Sequence, residues 1–296
     1  MQIFDCFQYY DEDLLLDFRL NCLNKYVDKF VIVESCYTHS GERRKLLFNI
    51  NNFKSFKDKI IYLVSDKLPN NLLNINNGDT FDQKNSKIIR NTIAREILQR
   101  NKITEGIKDS KANDIIIISD LDEIPNLENI DFAKIQNKLI FFNQKFYHYR
   151  FNLKLENSEW YGSKACKKKT LLSPQWLRNI KSKKYPFWRL DTIFADNKYR
   201  DIFFVDPGGW HFSNLKSAEG IEKKLRTYGH HREYELKPLG VNKIKDIINN
   251  KKAIYNLNTD QRNNKFGIGD TLVEENMSDL PKYLRDNMQK YSEWLV

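Results

Sequence analysis

Residues 114–125 read DIIIISDLDEIP, four consecutive isoleucines running straight into three carboxylates and a proline. An unbroken β-branched run has no polar face to turn towards water. It suits a central parallel strand covered on both sides, with helices packed above and below it. The sequence around it supplies such partners. QIFDCFQYY, KFVIVES and KIIYLVSD read as strands. LLLDFRLNCLNKYV follows Asp11, Glu12 and Asp13, acids that suit a helix N-terminus, and keeps helical spacing. SKIIRNTIAREILQRN sets Ile89, Ile93 and Ile97 on one side, which predicts an amphipathic helix leading into the isoleucine strand. The asparagine-rich residues 70–78 read as a loop. Strand and helix alternate up to this strand, so the expected fold class is α/β, with a mostly parallel sheet covered on both faces.

From about residue 139 the pattern changes to aromatic, strand-like pieces (LIFFNQKFYHYRFNLKL), followed by lysine-rich loops. Beyond Leu215 polar helices dominate, ending in LPKYLRDNMQKYSEWLV. There is no internal repeat and no clean linker. With 296 residues and 41% apolar composition, the chain can bury a full core. No run approaches the roughly 18 apolar residues of a membrane span, and the N-terminus MQIFDCFQYYDED has acids where a signal peptide needs bases, so the expectation is a cytoplasmic protein. The four cysteines, Cys6, Cys22, Cys36 and Cys166, show no CxxC spacing and read as reduced thiols. The net charge is +10, with clusters at residues 167–169 and 181–184. Nucleic acid, an anionic membrane surface and an anionic small substrate all answer to that charge. The aromatics do not recur with basic residues as in an RNA-binding module, so no nucleic-acid partner is expected, and a peripheral membrane contact through the basic clusters is left open.

Ligands of open α/β sheets bind outside the carboxyl ends of strands. Asp120 and Asp122 stand two residues apart there, so in extended chain both project to one side, roughly 6–7 Å between Cα atoms. Both carboxylates can then reach one hard cation, directly or through water. A solvated, turn-forming strand end is the plainer reading. Three crowded acids repel one another, however, unless a cation or Lys/Arg neutralises them. A metal with a basic surround suits a diphosphate, because the cation offsets charge on the leaving group.

IIISDLDEIP, VDPGGWHFSNL, FVIVESCYTHSG and SPQWLRNIKSKKYPFWR together resemble glycosyltransferase family 17, over residues 1 to about 235. The resemblance implies a single GT-A domain (Rossmann-like, with a mostly parallel sheet) and a helical C-terminal part, inversion at the anomeric carbon, a divalent cation (Mn2+ or Mg2+), a UDP-sugar donor with UDP-GlcNAc first, and a glycan acceptor. It divides residues 1–235 into a nucleotide-sugar half up to about 138 and an acceptor half from about 139, leaving 236–296 as a helical extension packed on them. Asp122 is the expected metal ligand, with His211 of GWHFSN as a further ligand, and Asp120 meets the ribose or a metal-bound water. Leu121 lies between the two aspartates. Glu34 at the end of FVIVES is expected near the nucleotide, Arg90 and Asn91 near phosphate or ribose, and Lys224 and His230 on the diphosphate. Trp160 and Trp188 are candidates for stacking on a sugar ring. Inversion needs a general base, for which Asp206 and then Asp191 are the candidates. Asp206-Pro207-Gly208-Gly209-Trp210 is spaced differently from some members' Asp-x-Gly-Trp, and a membrane anchor like that of the animal members is not expected here.

Other classes fit less well. A haloacid-type phosphohydrolase carries DxDx[TV] near the start of the chain, whereas here the DLD is late and Ile124 follows Glu123. A glycosidase uses two carboxylates and no cation. A non-catalytic nucleic-acid- or carbohydrate-binding protein accounts for the charge and the tryptophans but has no need of an acidic strand end.

Overall fold

A computed structural model of the chain describes residues 1–186, 188–189, 191–228, 231–255, 266–267 and 269–296. The amino-terminal third alternates as the sequence predicts: β1 (Ile3–Tyr9), α1 (Asp13–Leu23), β2 (Lys29–Ser35), β3 (Ile60–Ser65), α2 (Phe81–Asn101), α3 (Ile103–Gly106) and β4 (Ile115–Asp120). These four strands pair in parallel in the order β3-β2-β1-β4. The sheet then continues with mixed pairing. After β5 (Glu123–Pro125) come β6 (Leu139–His148), β7 (Leu153–Trp160) and β8 (Lys164–Lys167), which run antiparallel to one another or to β4. Helices α4 (Pro174–Asn179) and α5 (Asp191–Phe194) precede the long β9 (Ile202–Ser213), which pairs in parallel with β6 and antiparallel with β5. The chain ends with α6 (Ala218–Thr227), α7 (His231–Leu236), α8 (Val241–Asn249), β10 (Leu272–Glu274) and α9 (Lys282–Asp286).

The four isoleucines divide between the two faces of the sheet, as a doubly covered strand requires. Ile115 and Ile117 pack with Phe7, Phe18 and Phe30 in the layer that includes α1, while Ile116 and Ile118 pack with Cys6, Val31 and Val33 against α3 and α4. All four are at most 1% exposed. Cys6, Cys22, Cys36 and Cys166 are free thiols.

Two expectations need correction. The isoleucine side of α2 faces outward, with Ile89 39% and Ile93 48% exposed, whereas Asn91, Thr92, Gln99 and Arg100 are buried. The inner side of this helix has polar work to do. Gln99 donates to the Val33 carbonyl, Asn91 both donates to and accepts from the Leu73 backbone, and Arg100 reaches Asp120. Residues 236–296 are also more than a helical extension. β10 adds to the sheet edge against β7, and Leu280, Leu284 and Tyr291 belong to the same core layer as α1.

Candidate active site

The acidic turn after β4 is held from below by one arginine. Arg19 lies in α1 within LLLDFRLNCL, and Asp5 is the single charge of β1 within IFDCFQY; both are fully buried. The Arg19 guanidinium takes Asp5 bidentately at 2.8 and 2.6 Å. Its remaining nitrogen donates to the backbone carbonyls of Asp120 (3.1 Å), Leu121 (3.2 Å) and Glu123 (2.6 Å). The planar fork thus fixes three carbonyls of one turn, which a lysine has no geometry to do.

Each acid of the turn meets a basic partner. Asp120 accepts from Arg100 (3.1 Å) and Arg178 (2.8 Å). Glu123, fully buried, accepts from Arg178 (2.7 Å), from the indole of Trp160 (2.8 Å) and from the Asp120 backbone (2.7 Å). Asp122 lies 3.5 Å from His211 Nε2 and 3.7 Å from Lys224 Nζ. Enclosure works to raise both aspartates, but the basic groups around them outweigh it: Arg178 and Arg100 hold Asp120 below the usual carboxylate range, and His211 and Lys224 hold Asp122 well below it. Arg178 is aimed by its own support. The buried Lys164 ammonium donates to the carbonyls of Arg178 (2.7 Å) and Ile180 (2.5 Å), and Arg178 also donates to the Gly162 carbonyl.

His211 reaches the site because β9 pairs with β5, setting it directly opposite Glu123. That pairing depends on Gly209, whose φ of 127° and contact with the Ile124 carbonyl, 2.2 Å from where a Cβ would stand, exclude other residues. The imidazole stacks on Phe146 (4.2 Å) and on Trp160 (4.8 Å), whose own rings are 5.5 Å apart, and its Nδ1 is buried with no hydrogen-bond partner.

Arg100, Asp120, Asp122, Glu123, Trp160 and His211 line a cavity of about 390 Å³ at the carboxyl ends of β1, β2 and β4, within the size range of small-ligand sites. Phe146, His211 and Ser213 form part of its wall, Lys224 and Thr227 of α6 and the following Tyr228 enter from the helix side, and Tyr9, Tyr10, Ser35 and Tyr37 lie at the β1–β2 end. Among the described residues no group of three His, Cys, Asp or Glu gathers closely enough to enclose a metal. The Asp122–His211 pair, one hard oxygen and one imidazole nitrogen 3.5 Å apart, nonetheless fits a Mn2+ or Mg2+ that takes its other ligands from phosphate oxygens and water.

The sequence profile of glycosyltransferase family 17 matches residues 1–296. This chain belongs to glycosyltransferase family 17. It is 29% identical over 125 residues to the β-1,4-mannosyl-glycoprotein 4-β-N-acetylglucosaminyltransferase of Homo sapiens and to that of Rattus norvegicus, and 28% identical to that of Mus musculus. In each case the match covers 41% of this chain and 21% of the relative, so it spans about a fifth of the curated relatives' length.

In this family 17 glycosyltransferase the structure brings Asp120, Leu121, Asp122, Trp160, His211 and Lys224 to one cavity. It places the other expected residues elsewhere. Glu34 is fully buried and already engaged by the Leu47 and Phe48 amides, the Tyr62 hydroxyl and Arg44. Arg90 is exposed on α2 beyond the cavity wall, and Asn91 holds the loop at Leu73. Trp188 is 65% exposed and Asp206 is exposed beside Pro207, both outside the cavity. Asp191 is paired with Arg189 and Lys198 on the surface. His230 lies outside the described residues. The sequence reading missed Arg19, Arg100 and Arg178. For Arg19 there was a signal, an arginine inside a largely apolar helix next to a strand whose single charge is an aspartate.

Proposed function

We propose that this glycosyltransferase moves N-acetylglucosamine from UDP-GlcNAc to a hydroxyl of a glycan acceptor, with inversion and with a divalent cation. The observation that carries this reading is the cavity at the strand ends, where Asp122 and His211 stand 3.5 Å apart with Lys224 beside them. The names of the relatives supply the sugar and the glycan acceptor. Asp122 and His211 would hold the cation, which when bound supplies positive charge to the departing diphosphate. Lys224 adds a second positive group on the same side. Arg100 and Arg178 keep Asp120 ionised and turned towards the cavity, and Arg19 keeps the turn rigid, so the site needs little rearrangement as charge develops. Tyr10 and Tyr37 flank the β1–β2 end, where a nucleoside would lie against aromatic faces. For removing the acceptor proton, Glu12 and Glu96 on the cavity wall are better placed than Asp206 or Asp191.

A thermal-shift comparison of UDP-, GDP- and CDP-sugars, with and without Mn2+, tests the donor. A ligand of the native state raises its stability by RT ln(1 + [L]/Kd). UDP-GlcNAc with Mn2+ is expected to give the largest shift, and a larger one with a GDP- or CDP-sugar would overturn the donor assignment. NMR of the product tests the stereochemistry: a large anomeric coupling marks the expected β-linkage, and an α-linkage would refute inversion.

A further inference from the structure

The charge of this chain is not spread evenly. Residues 164–204 contain eleven Lys and Arg against three Asp, a net +8 of the whole chain's +10. Lys164 and Arg178 turn inward to the active site, but Lys169, Lys181, Lys183, Lys184 and Arg200 are exposed. The same stretch carries the three most exposed large apolar side chains of the described residues: Phe194 at 86%, Leu172 at 74% and Trp188 at 65%. Its later part folds back on itself and on α4. The Lys181 amide donates to the Asn197 carbonyl (2.8 Å), Arg200 donates to the Arg189 carbonyl, and the Trp176 ring meets Tyr199 edge-on at 5.6 Å. The lobe therefore joins the cleft through α4, the helix that carries Arg178 to Asp120 and Glu123.

Apolar groups this exposed beside so many cations need a surface that accepts both. We propose that the lobe of residues 168–204 docks the enzyme on the surface of an anionic lipid bilayer. Lysine ammonium groups meet the phosphate and carboxylate of the headgroups, while Trp, Phe and Leu enter the boundary between headgroup and acyl chain. The contact is peripheral on this reading, since no helix among the described residues is long and apolar enough to cross a membrane. A nucleic acid would answer to the lysines and stack on Trp188, but it offers nothing to an aliphatic side chain such as Leu172. Charge complementarity with an apolar interior beneath it distinguishes the bilayer.

Co-sedimentation of the whole chain with phosphatidylcholine vesicles, with and without phosphatidylserine, tests the proposal. Binding is expected only to the phosphatidylserine vesicles, weakening as salt is added. Replacing Lys181, Lys183 and Lys184 by Gln together should lower partitioning about 100-fold, at about fivefold for each lysine near an anionic surface. Leu172→Ser with Phe194→Ser should also lower it, with the melting temperature and the UDP-GlcNAc thermal shift unchanged in both variants. The proposal is overturned by equal binding to both vesicle types, by no binding, by variants that partition like the natural protein, or by binding of single-stranded RNA in place of vesicles.

Discussion

Acidification should unload the stability of this fold through one buried histidine. His148 ends β6, is 1% exposed, and has no hydrogen-bond partner on either ring nitrogen. Its ring stacks on Phe146 at 4.5 Å, and Phe146 stacks in turn on His211. Burial, reinforced by the charges of His211 and Lys224, pushes the His148 pKa down to about 3. In the unfolded chain the same imidazole titrates near 6.5, so below about pH 6.5 the unfolded state takes up a proton that the native state refuses until about pH 3. The folded pKa is the depressed one, so stability is intact above the window and is lost as pH falls through it. The loss is about 1.4 kcal/mol per pH unit, or about 3 kcal/mol by pH 4 and up to about 5 kcal/mol in all. That is a large part of the roughly 5–15 kcal/mol by which domains are stable. Urea unfolding of the natural protein and of His148→Phe, followed from pH 8 to pH 4, isolates the effect because all other groups cancel in the difference. Phenylalanine continues the stack and has no proton to gain. The difference between the two proteins should be flat above about pH 7 and then move in favour of the variant as pH falls. Parallel curves down to pH 4 would show that His148 is protonated in the native state, and the reasoning would fail.

The proposed metal role of Asp122 and His211 gives two further expectations. Asp122→Asn should abolish the Mn2+-dependent thermal shift with UDP-GlcNAc while leaving the fold intact, and an unchanged shift would remove Asp122 from the site. His211→Ala should raise the Mn2+ concentration needed for turnover, whereas a change in melting temperature with unaltered Mn2+ dependence would make it a packing residue only. Arg19→Met leaves Asp5 as an unpaired buried charge and should cost about 3–5 kcal/mol in urea unfolding, with part regained when Asp5→Leu is added; a cost under about 1 kcal/mol would mean that the pair does not anchor the turn.

The parallel half of the fold was legible because its strands are short, apolar and separated by helix signals, and a doubly buried strand such as residues 115–118 advertises itself. The inward side of α2 was not legible, because periodicity assumes that apolar residues face the core. Here the helix borders a polar cleft, and its buried side is chosen for hydrogen bonds to Val33, Leu73 and Asp120 rather than for area. Asp120, Asp122 and His211 could be found from their own motifs. Arg100 and Arg178 could not, since their role arises only when α2 and α4 converge on β4 from 20 and 58 residues away. Glu34 misled for the opposite reason. A strand-end glutamate looks available in sequence, but the following loop returns to present two backbone amides to it.

On the proposed function, the arrangement of charge also bears on how donor and metal would arrive. Asp120, Asp122 and Glu123 are already balanced by Arg100, Arg178 and Lys224, so the turn does not need a cation in order to stay folded. A divalent cation entering alone would stand within reach of the Lys224 ammonium, which is 3.7 Å from Asp122. A nucleotide-sugar diphosphate entering alone would bring a doubly charged anion against the Asp122 carboxylate. Arriving together, the two cancel each other's charge, and Lys224 can turn from Asp122 to a phosphate oxygen. On the proposed mechanism UDP and Mn2+ should therefore bind with positive coupling, each raising the other's affinity by the same factor. A coupling of 1–3 kcal/mol, or about 5–150-fold, is the usual scale of such linkage. Calorimetric titration of UDP with and without Mn2+, and of Mn2+ with and without UDP, measures it from both directions. Lys224→Ala should weaken UDP binding and strengthen Mn2+ binding alone, because the competing ammonium is gone while Asp122 and His211 remain. If Mn2+ binds the Lys224→Ala protein no better than the natural one, Lys224 is not guarding Asp122, and the balance of charge at the strand end has been misread.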